Sequence, residues 1–441
     1  MSAPKSAPGV HPKPFWSFRP TSDREAGDAV VSNFVLHWFP AKVYKPSLDW
    51  NYSFWLGTVS AALFFLLILS GLPLLVLYVP SVERAYGSVK DIEYVVTFGT
   101  WIRAVHRISA HLMVAVVFLH LVRVFLTGAY KNGVGRGQMR EWNWVMGVAM
   151  LLLTLFLSFT GYLLPWDQLA YWAVTVGTNI ASAVPLIGPK MRELLIGGRT
   201  IEQATLIRFY ALHIVFLPVA LGALFVYHMW RIRKDGGLAR SDGEVLLPAA
   251  QEVPPGRTKT YSLLGVARGT SPTIRTRSLE APDLSVNSVT DLTRRIAIVV
   301  LGTIAVVSIL SVFIASPLEE AANALVTPNP AKAPWYFLWL QEIVTDTTVW
   351  IGSFTINGAF LGGVILPGLL IGLLTVWPWL DRSPASAAGA WFHGSRKKQN
   401  AVFLLLVLVV VLFTVVGTFM RGPYWHFFWP WQAWPELPTR I

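Results

Sequence analysis

Cysteine is absent from the 441 residues of the chain. Its absence excludes disulfide bonds, thiolate metal sites, thioether-linked haem and any iron–sulfur cluster that cysteine ligates. A redox group bound to this chain must therefore use histidine, methionine or oxygen ligands. Charged residues are also scarce, at 14% of the chain, whereas an average soluble domain has about 25%. This composition points to lipid as the main solvent.

Long apolar runs take the place of the missing charge. Seven segments approach the ~20 apolar residues that cross a hydrocarbon core of ~30 Å. We therefore predict an all-α polytopic membrane protein with seven transmembrane helices. The predicted helices are Phe54–Val79, Arg103–Thr127, Trp142–Leu164, Ile207–Trp230, Ile296–Ala315, Phe360–Leu380 and Ala401–Met420. The first fifty residues lack a continuous apolar core, so we expect no cleavable signal peptide.

The basic residues indicate the orientation of these helices. The net charge is +12, but the charge lies in loops, so we expect no nucleic-acid partner. The N-terminal tail and the loops after the second, fourth and sixth segments hold 24 Lys and Arg, against 8 in the other connections and the C-terminal tail. The more basic set should be cytoplasmic. The predicted regions are a cytoplasmic tail (1–53), a four-helix module (54–230), a cytoplasmic linker (231–295), a three-helix module (296–420) and an extracytoplasmic tail (421–441).

Four histidines lie within two of the predicted helices. His106 and His120 are fourteen residues apart in the second segment, and His213 and His228 are fifteen apart in the fourth. In a regular helix these spacings leave residual rotations of about −40° and +60° and an axial separation of ~21–22 Å. Both segments should run inward, so the histidines form an outer pair and an inner pair, as two bis-imidazole haems require. The alternative is that they form hydrogen bonds between helices. His111 is about 140° round the helix from His106 and is not expected to be a ligand.

Glycines repeat with the same fourteen-residue period in the first and third segments. Gly57 and Gly147 should share the depth of the inner haem, and Gly71 and Gly161 that of the outer haem. A porphyrin needs neighbouring backbone without Cβ atoms. The alternative is ordinary packing, for which glycine is common in membrane helices.

Three arginines lie close to the histidines in sequence. Arg103 precedes His106 by three residues, Arg123 follows His120 by three, and Arg208 precedes the outer histidine of the fourth segment by five. Haem propionates are anionic, so these guanidinium groups are candidate partners for them. The alternative is that they are interfacial arginines that extend toward water.

Together these residues resemble the cytochrome b of Rieske/cytochrome b complexes, which oxidise quinols and reduce a c-type cytochrome or a copper protein. The matching motifs are Arg103–Arg107, Leu119–Arg123, Gly161–Gln168, Tyr171–Val174 and Arg208–His213. The fifteen-residue spacing and the seven segments match the plastoquinol branch of chloroplasts and cyanobacteria, here with its four-helix and three-helix subunits fused. The resemblance covers about residues 45–380.

The chain departs from that family at two motifs. Trp55 stands where the plastoquinol branch has the cysteine of a covalent haem, so that haem should be absent. The quinol-oxidation motif Pro-Glu-Trp-Tyr reads here as Ala333-Pro334-Trp335-Tyr336. This version is similar to that of the menaquinol-oxidising complexes of some bacteria, which hints at a low-potential quinone.

The resemblance implies an outer pocket in which quinol is oxidised. Its expected residues are Tyr162, Pro165, Trp166, Asp167, Trp335, Tyr336 and Glu342. A quinol hydroxyl needs a base, and Pro334 replaces the family glutamate. Glu342, six residues beyond Tyr336, is our expected proton acceptor. Asp167 and Asp346 are competitors, and a purely structural role for Glu342 in capping or ion pairing stays open.

The resemblance also implies the cofactors and partners. These are two non-covalent b haems with iron, a quinone, a Rieske iron–sulfur protein, a c-type cytochrome or equivalent acceptor, and a homodimeric complex that translocates protons across the bacterial inner membrane. The chain would then be one subunit of a quinol–cytochrome c type oxidoreductase. One alternative is the di-haem anchor of a dehydrogenase, although that needs no three-helix module. Another is a transporter with histidines in its proton or substrate path.

Overall fold

The computed structural model describes residues 42–133, 138–235, 285–287, 291–352 and 354–435. Most of the predicted N-terminal tail and linker lie outside the described residues. The helices of the described part are Trp50–Ser53 (α1), Leu56–Leu77 (α2), Ala85–Tyr94 (α3), Gly99–Thr127 (α4), Arg140–Leu163 (α5), Gln168–Ser182 (α6), Gly188–Ile196 (α7), Gln203–Lys234 (α8), Thr293–Phe313 (α9), Trp335–Asp346 (α10), Gly358–Leu380 (α11) and Gly394–Met420 (α12).

Seven of the helices described are long and apolar enough to cross a membrane: α2, α4, α5, α8, α9, α11 and α12. They correspond one to one with the seven predicted segments, which confirms the predicted fold class. We call the end at which α4 and α8 begin the upper face and the opposite end the lower face. The short helices α3, α6, α7 and α10 belong to the connections at the upper face, because each lies between a helix that ends there and one that begins there.

Short strands and 3₁₀ turns complete the connections. Strand β1 (Lys42–Tyr44) pairs antiparallel with β2 (Ser285–Asn287), and β3 (Val349–Ile351) pairs antiparallel with β4 (Phe354–Ile356). The 3₁₀ turns of the connections are Lys45–Leu48, Ala385–Ala387 and Pro423–Trp425, and a further 3₁₀ turn, Gly394–Arg396, forms the first residues of α12. The β1–β2 pair joins the start of the four-helix module to the chain just before the three-helix module.

Helices α2, α4, α5 and α8 form the central bundle, and α9 packs on α2 and α4. Leu63, Val105 and Leu221 of the bundle meet Val307 of α9 in one buried apolar cluster. Outward-facing apolar side chains remain exposed, for example Val76 at 82%. That exposure is typical of a protein in lipid, because burying an apolar side chain against protein instead of lipid tails gives almost no hydrophobic stabilisation.

Three of the described membrane helices contain a π turn. The turns are Leu212–Phe216 in α8, Leu361–Ile365 in α11 and Val416–Met420 at the end of α12. The first two each lie just before a proline, Pro218 or Pro367. Proline lacks an N–H and its ring clashes with the carbonyl four residues earlier. A π turn relieves that clash by widening the helix, and it takes up one additional residue.

A buried polar cluster fastens the two modules together at the lower face. Asp381 follows α11, and its carboxylate accepts hydrogen bonds from the Tyr130 hydroxyl (2.7 Å) and from Arg396 Nε (3.2 Å). Lys131 Nζ donates to the Asp381 carbonyl oxygen at 2.6 Å. Burial by itself would raise the pKa of Asp381, but hydrogen bonds from Tyr130 and Ser383, with the nearby charge of Lys131, lower it to about 2. The carboxylate is therefore charged and ties α11 and α12 to the end of α4.

Candidate functional site

The four intramembrane histidines form two pairs between α4 and α8. The rings of His106 and His213 have centroids 6.2 Å apart and planes inclined by 75°. His120 lies close enough to His228 for charges on the two rings to interact. The first pair lies toward the upper face and the second toward the lower face. The structure thus brings together the pairs that the spacing predicted.

The π turn of α8 explains why one spacing is fourteen residues and the other fifteen. His213 lies inside that turn, which takes up one additional residue between it and His228. The fifteen-residue interval therefore covers about the rotation and rise of fourteen residues in a regular helix. The rotation of about +60° expected for a regular α8 does not apply, and the two helices present their histidines in matching layers.

Hydrogen bonds set the tautomer of the upper pair. His213 Nδ1 donates to the Leu157 carbonyl oxygen at 3.0 Å, and a carbonyl can only accept. His106 Nδ1 lies 3.0 Å from Ser70 Oγ, whose own proton goes to the Leu66 carbonyl at 2.7 Å. Both Nδ1 atoms are therefore donors, which leaves the Nε2 lone pairs free. This is the arrangement of a metal-ligating histidine, whose other nitrogen donates to an outer partner.

The donor set fits the iron of a haem. An iron between two imidazole nitrogens, at about 2 Å from each, separates the ring centres by about 6 Å. The His106–His213 separation of 6.2 Å matches that requirement. In the lower pair, the Nδ1 atoms of both His120 and His228 are buried without a hydrogen-bonding partner among the described residues, and His228 lies near the Asn143 backbone. Sequence reasoning missed Ser70 and Leu157, because their role depends on contacts between helices.

The four glycines face the imidazoles of the neighbouring helix. Gly71 lies opposite His106, Gly57 opposite His120, Gly161 opposite His213, and Gly147 opposite His228. The layers agree with those expected from the sequence. Among the atoms of the protein, those that a Cβ would meet belong to the imidazole ring, and the expected contact with a porphyrin stays a prediction. These glycines therefore give each histidine room to lie flat against the next helix.

A Cβ would be tolerated differently at the four glycines. At Gly71 and Gly57 it would lie 3.2 and 3.3 Å from the facing Cε1 atom. At Gly161 it would clash with His213 Cε1 and lie 2.9 Å from Nδ1, whereas at Gly147 the nearest atom is 4.0 Å away. Gly161 is thus the position that depends most strongly on the absence of a side chain.

Of the three arginines predicted to meet propionates, Arg123 has the most suitable surroundings. It is buried near His120, its Nε donates to the Tyr52 carbonyl at 3.4 Å, and it lies over the Tyr52 ring. Its Nη2 is buried and has no hydrogen-bonding partner within the described part of the chain. An unpaired buried guanidinium nitrogen suits an anionic partner such as a carboxylate.

The other two arginines are engaged elsewhere. Arg103 forms an ion pair with Glu93 at 2.5 Å and donates to the Ser316 carbonyl at 2.6 Å. Arg208 is exposed and donates to the Leu194 carbonyl near the end of α7. The structure therefore gives no support to a propionate role for either residue. The sequence could not show this, because Glu93, Ser316 and Leu194 lie in separate connections.

The two loops of the predicted outer pocket meet at the upper face. Asp167 Oδ2 accepts a hydrogen bond from the Glu319 backbone N–H at 3.3 Å, and the Trp166 carbonyl accepts one from Ala322 at 3.0 Å. Tyr162 lies within electrostatic range of Asp167 and Tyr336. Pro165 lies in the turn between α5 and α6. The structure thus places Tyr162, Pro165, Trp166, Asp167, Trp335 and Tyr336 around one region, with Arg107 of α4 beside them.

Tyr336 is the buried aromatic residue of this region. It is the second residue of the apolar helix α10 and is 8% exposed. Burial raises the pKa of its hydroxyl to about 12, although a hydrogen bond with Ser158 and the charge of Arg107 act in the opposite direction. The hydroxyl is therefore neutral at physiological pH and can donate a hydrogen bond.

Glu342 is held in an ion pair. Arg421 Nε lies 2.9 and 3.1 Å from its two carboxylate oxygens, and Arg421 Nη2 lies 2.5 Å from Oε1. Asp346 shares the same guanidinium at 3.2 Å, beside a cavity of about 280 Å³. The structure favours the structural alternative for Glu342, because both of its carboxylate oxygens are already occupied by the Arg421 guanidinium. Arg421 lies 79 residues further along the chain, so no local pattern could have indicated the pair.

Asp167 is buried in the loop between α5 and α6. Its Oδ1 caps α6 by accepting the Ala170 N–H at 2.9 Å. Burial raises the pKa of this carboxyl group, and this effect is larger than the opposite effect of the hydrogen bonds from the Ala170 and Glu319 backbone. Of the three carboxylates considered from the sequence, Asp167 is the one that lies beside Tyr162.

His111 is a residue whose position the sequence did not predict. As expected from the sequence, His111 does not join the histidine pairs. Its contact with α10 was not expected: His111 Nδ1 accepts a hydrogen bond from Trp335 Nε1 at 3.1 Å. Its ring centroid is 6.0 Å from that of Tyr336. His111 therefore belongs to the region that the two upper loops form.

A second cavity, of about 460 Å³, lies between α5 and α8 toward the lower face. Its lining residues are Met139, Trp142, Met146, Ala223, Leu224, Tyr227 and Arg231. Arg231 is buried and pairs with Asp235 at 2.7 Å. The cavity is mainly apolar with one charged group, as small-molecule sites commonly are.

Sequence profiles of one family match both modules. The profile described as "Cytochrome b/b6/petB" matches residues 42–236, and "Cytochrome b(C-terminal)/b6/petD" matches residues 321–431. The chain is 41% identical to the cytochrome b6 of Synechococcus elongatus over 186 residues, which are 42% of this chain and 84% of that protein. It is 42% identical to the cytochrome b6 of Prochlorococcus marinus over 186 residues, which are 42% of this chain and 83% of the relative.

A solved structure shows the same fold. The structure titled "Hyperthermophilic respiratory Complex III" aligns with a TM-score of 0.62 and 24% identity over 83% of this chain and 84% of that one. Because the alignment covers 83% of this chain, it includes residues of both modules. From its two histidine pairs, its two profile matches and its relatives, this membrane protein belongs to the cytochrome b family, with the b6-like and petD-like parts fused in one chain.

Proposed function

We propose that this chain is the di-haem cytochrome b subunit of a membrane complex that oxidises quinol. The observation that carries the proposal is the His106–His213 pair, with ring centroids 6.2 Å apart and both Nδ1 atoms used as donors. A second pair, His120 and His228, lies one layer below. Histidines that only linked helices would not need to keep the Nε2 atoms of the upper pair without hydrogen bonds in the described part of the chain.

The residues of the chain would hold two non-covalent b haems. His106 with His213, and His120 with His228, would supply the nitrogen ligands of the two irons. The facing glycines, Gly57, Gly71, Gly147 and Gly161, leave room for the imidazole rings of these histidines. Arg123 would pair with an anionic group at the lower site. When bound, the two haems supply a path for single electrons across the membrane. A covalent haem is not part of this proposal, because Trp55 stands where the plastoquinol branch has the cysteine that would attach it.

Quinol would be oxidised at the upper face, between the loop that holds Tyr162 and Asp167 and the loop that holds Trp335 and Tyr336. Tyr336 presents a neutral hydroxyl there. Asp167, with its raised pKa, is our candidate for receiving a proton, directly or through water. A second quinone would be reduced toward the lower face, where the cavity beside Arg231 is our candidate site.

The complex would need further subunits, because a chain without cysteine cannot carry a Rieske cluster or a c-type haem. We therefore propose a Rieske iron–sulfur protein and a c-type cytochrome or equivalent acceptor as partners, in a homodimeric complex that translocates protons. On the evidence of the basic loops, we propose that the lower face and the N-terminus are cytoplasmic and that the upper face and the C-terminus lie outside, in a bacterial inner membrane.

The test is to purify the complex and measure both its haem content and its quinol oxidation. We expect two b haems per chain by pyridine haemochrome, no c-type haem on this chain, and electron transfer from quinol to a c-type acceptor. A transporter would bind no haem. A dehydrogenase anchor would bind haem but would co-purify with a dehydrogenase and without a Rieske protein. Either of those results would refute the proposal.

A further inference from the structure

His111 and Trp335 form a hydrogen-bonded pair that joins α4 to α10. Trp335 Nε1 donates to His111 Nδ1 at 3.1 Å. The pair lies beside the buried Tyr336, whose ring centroid is 5.4 Å from that of Trp335. His111 lies one turn below Arg107 on α4, and Arg107 donates to the Pro317 carbonyl at 2.9 Å. The imidazole of His111 thus lies close to Trp335 and Tyr336 of α10 and to Arg107 of its own helix.

The hydrogen bond fixes which nitrogen of His111 carries the proton. An indole N–H can only donate, so His111 Nδ1 must be the acceptor. The neutral imidazole then carries its proton on Nε2. That Nε2–H makes no hydrogen bond within the described residues. His111 is therefore a half-buried donor, held in one tautomer by Trp335 and with its proton available to a ligand.

We propose that His111 binds quinol in the upper pocket by donating its Nε2–H to one quinol oxygen. This inference rests on the proposed function and adds a substrate-contacting residue to it. The hydrogen bond would hold the quinol oxygen and stabilise the negative charge that forms there as the hydroxyl proton passes to the proposed acceptor Asp167, directly or through water. Trp335 acts as a positioning residue, because it keeps Nδ1 occupied and Nε2 protonated. At the family's glutamate position this chain has Pro334, which offers no side chain for that purpose.

The experiment uses the assembled complex with both haems retained, as checked by its spectrum. The variants are His111→Phe, His111→Gln and Trp335→Phe. The matched control is Trp101→Phe, because Trp101 is also an indole at α4 and donates to the Ser308 carbonyl at 3.3 Å, away from the pocket. The KM and kcat for a short-chain quinol are measured, together with the Kd of the corresponding quinone by calorimetry.

We expect His111→Phe to raise KM and Kd by about fivefold to tenfold, which is the size of one neutral hydrogen bond. His111→Gln keeps an N–H donor and should recover most of that loss. Trp335→Phe should raise KM by about threefold, because the imidazole is no longer held in one tautomer, and Trp101→Phe should change neither constant.

Three outcomes would overturn the inference. The first is a wild-type KM and Kd in His111→Phe with both haems present. The second, which still decides the matter if His111→Phe does not assemble, is identical behaviour of Trp335→Phe and Trp101→Phe. The third is a wild-type complex that does not oxidise quinol, which removes the proposed function as well. The first two results leave the proposed function intact.

Discussion

Gly161 provides the sharpest test of how the histidines are held. A Cβ at this position would clash with His213 Cε1 and lie 2.9 Å from Nδ1, whereas ordinary contacts begin at 3.4 Å. The ring would have to move by at least the difference, about half an ångström. It cannot do so freely, because His213 Nδ1 is bound to the Leu157 carbonyl at 3.0 Å. Gly161→Ala should therefore strain the upper histidine pair.

The expected size follows from measured effects of overpacking. Adding a carbon to a well-packed interior costs about 1–3 kcal/mol. If that cost falls on the bound state, the affinity for the upper haem decreases by about fivefold to 150-fold. At Gly147 the nearest atom to a Cβ is His228 Cε1 at 4.0 Å. Gly147→Ala is therefore a matched control that adds the same methyl group to the same helix without a clash.

The assay is haem content per chain, with a redox titration of the purified complex. We expect Gly161→Ala to lose much of one haem and keep the other, and Gly147→Ala to keep both. If Gly161→Ala binds two haems with unchanged potentials, the backbone accommodates the methyl group and our account of Gly161 is wrong. Equal losses in both variants would also contradict it, because the geometry predicts a difference.

Three further predictions concern other residues. His120→Ala should remove the lower haem and leave most of the upper one by haemochrome assay, whereas loss of both would show that the sites are not independent. Arg123→Gln should lower the potential of the lower haem by removing a positive charge, and an unchanged potential would exclude pairing. Asp381→Asn should cost about 2–3 kcal/mol of stability at pH 7. The pKa of Asp381 is lowered, so this stability is present above pH ~4 and is lost as the pH falls toward 2. The melting temperatures of the wild type and of Asp381→Asn should therefore differ above pH ~4 and converge as the pH falls toward 2.

Much of the fold could be predicted because its determinants are local. A run of about 20 apolar residues is enough to specify a membrane helix, and all seven predicted segments match helices of the structure. The histidine pairs could also be predicted from the sequence, because fourteen or fifteen residues make about four helical turns, so that both histidines of a helix lie on nearly the same face. Pairing by depth then followed from the alternating direction of the helices.

The partners of charged groups could not be predicted, because they lie far away in sequence. Glu342 pairs with Arg421, 79 residues later. Asp381 accepts a hydrogen bond from Tyr130, 251 residues earlier. The same holds for the pair of His111 and Trp335, which are 224 residues apart. Sequence spacing describes one face of one helix, whereas these contacts depend on which loops meet above and below the bundle.

The π turn of α8 is an intermediate case, because its signals were present in the sequence but were not connected. One signal is the additional residue between His213 and His228, compared with the pair on α4. The other is Pro218, which cannot complete a regular turn with Ile214. A regular helix could accommodate neither the proline nor the additional residue. Pro218 would clash with the preceding turn, and the histidines of α8 would be out of register with those of α4 by one residue. A single π turn resolves both, so the inserted residue and the proline are two parts of one structural feature.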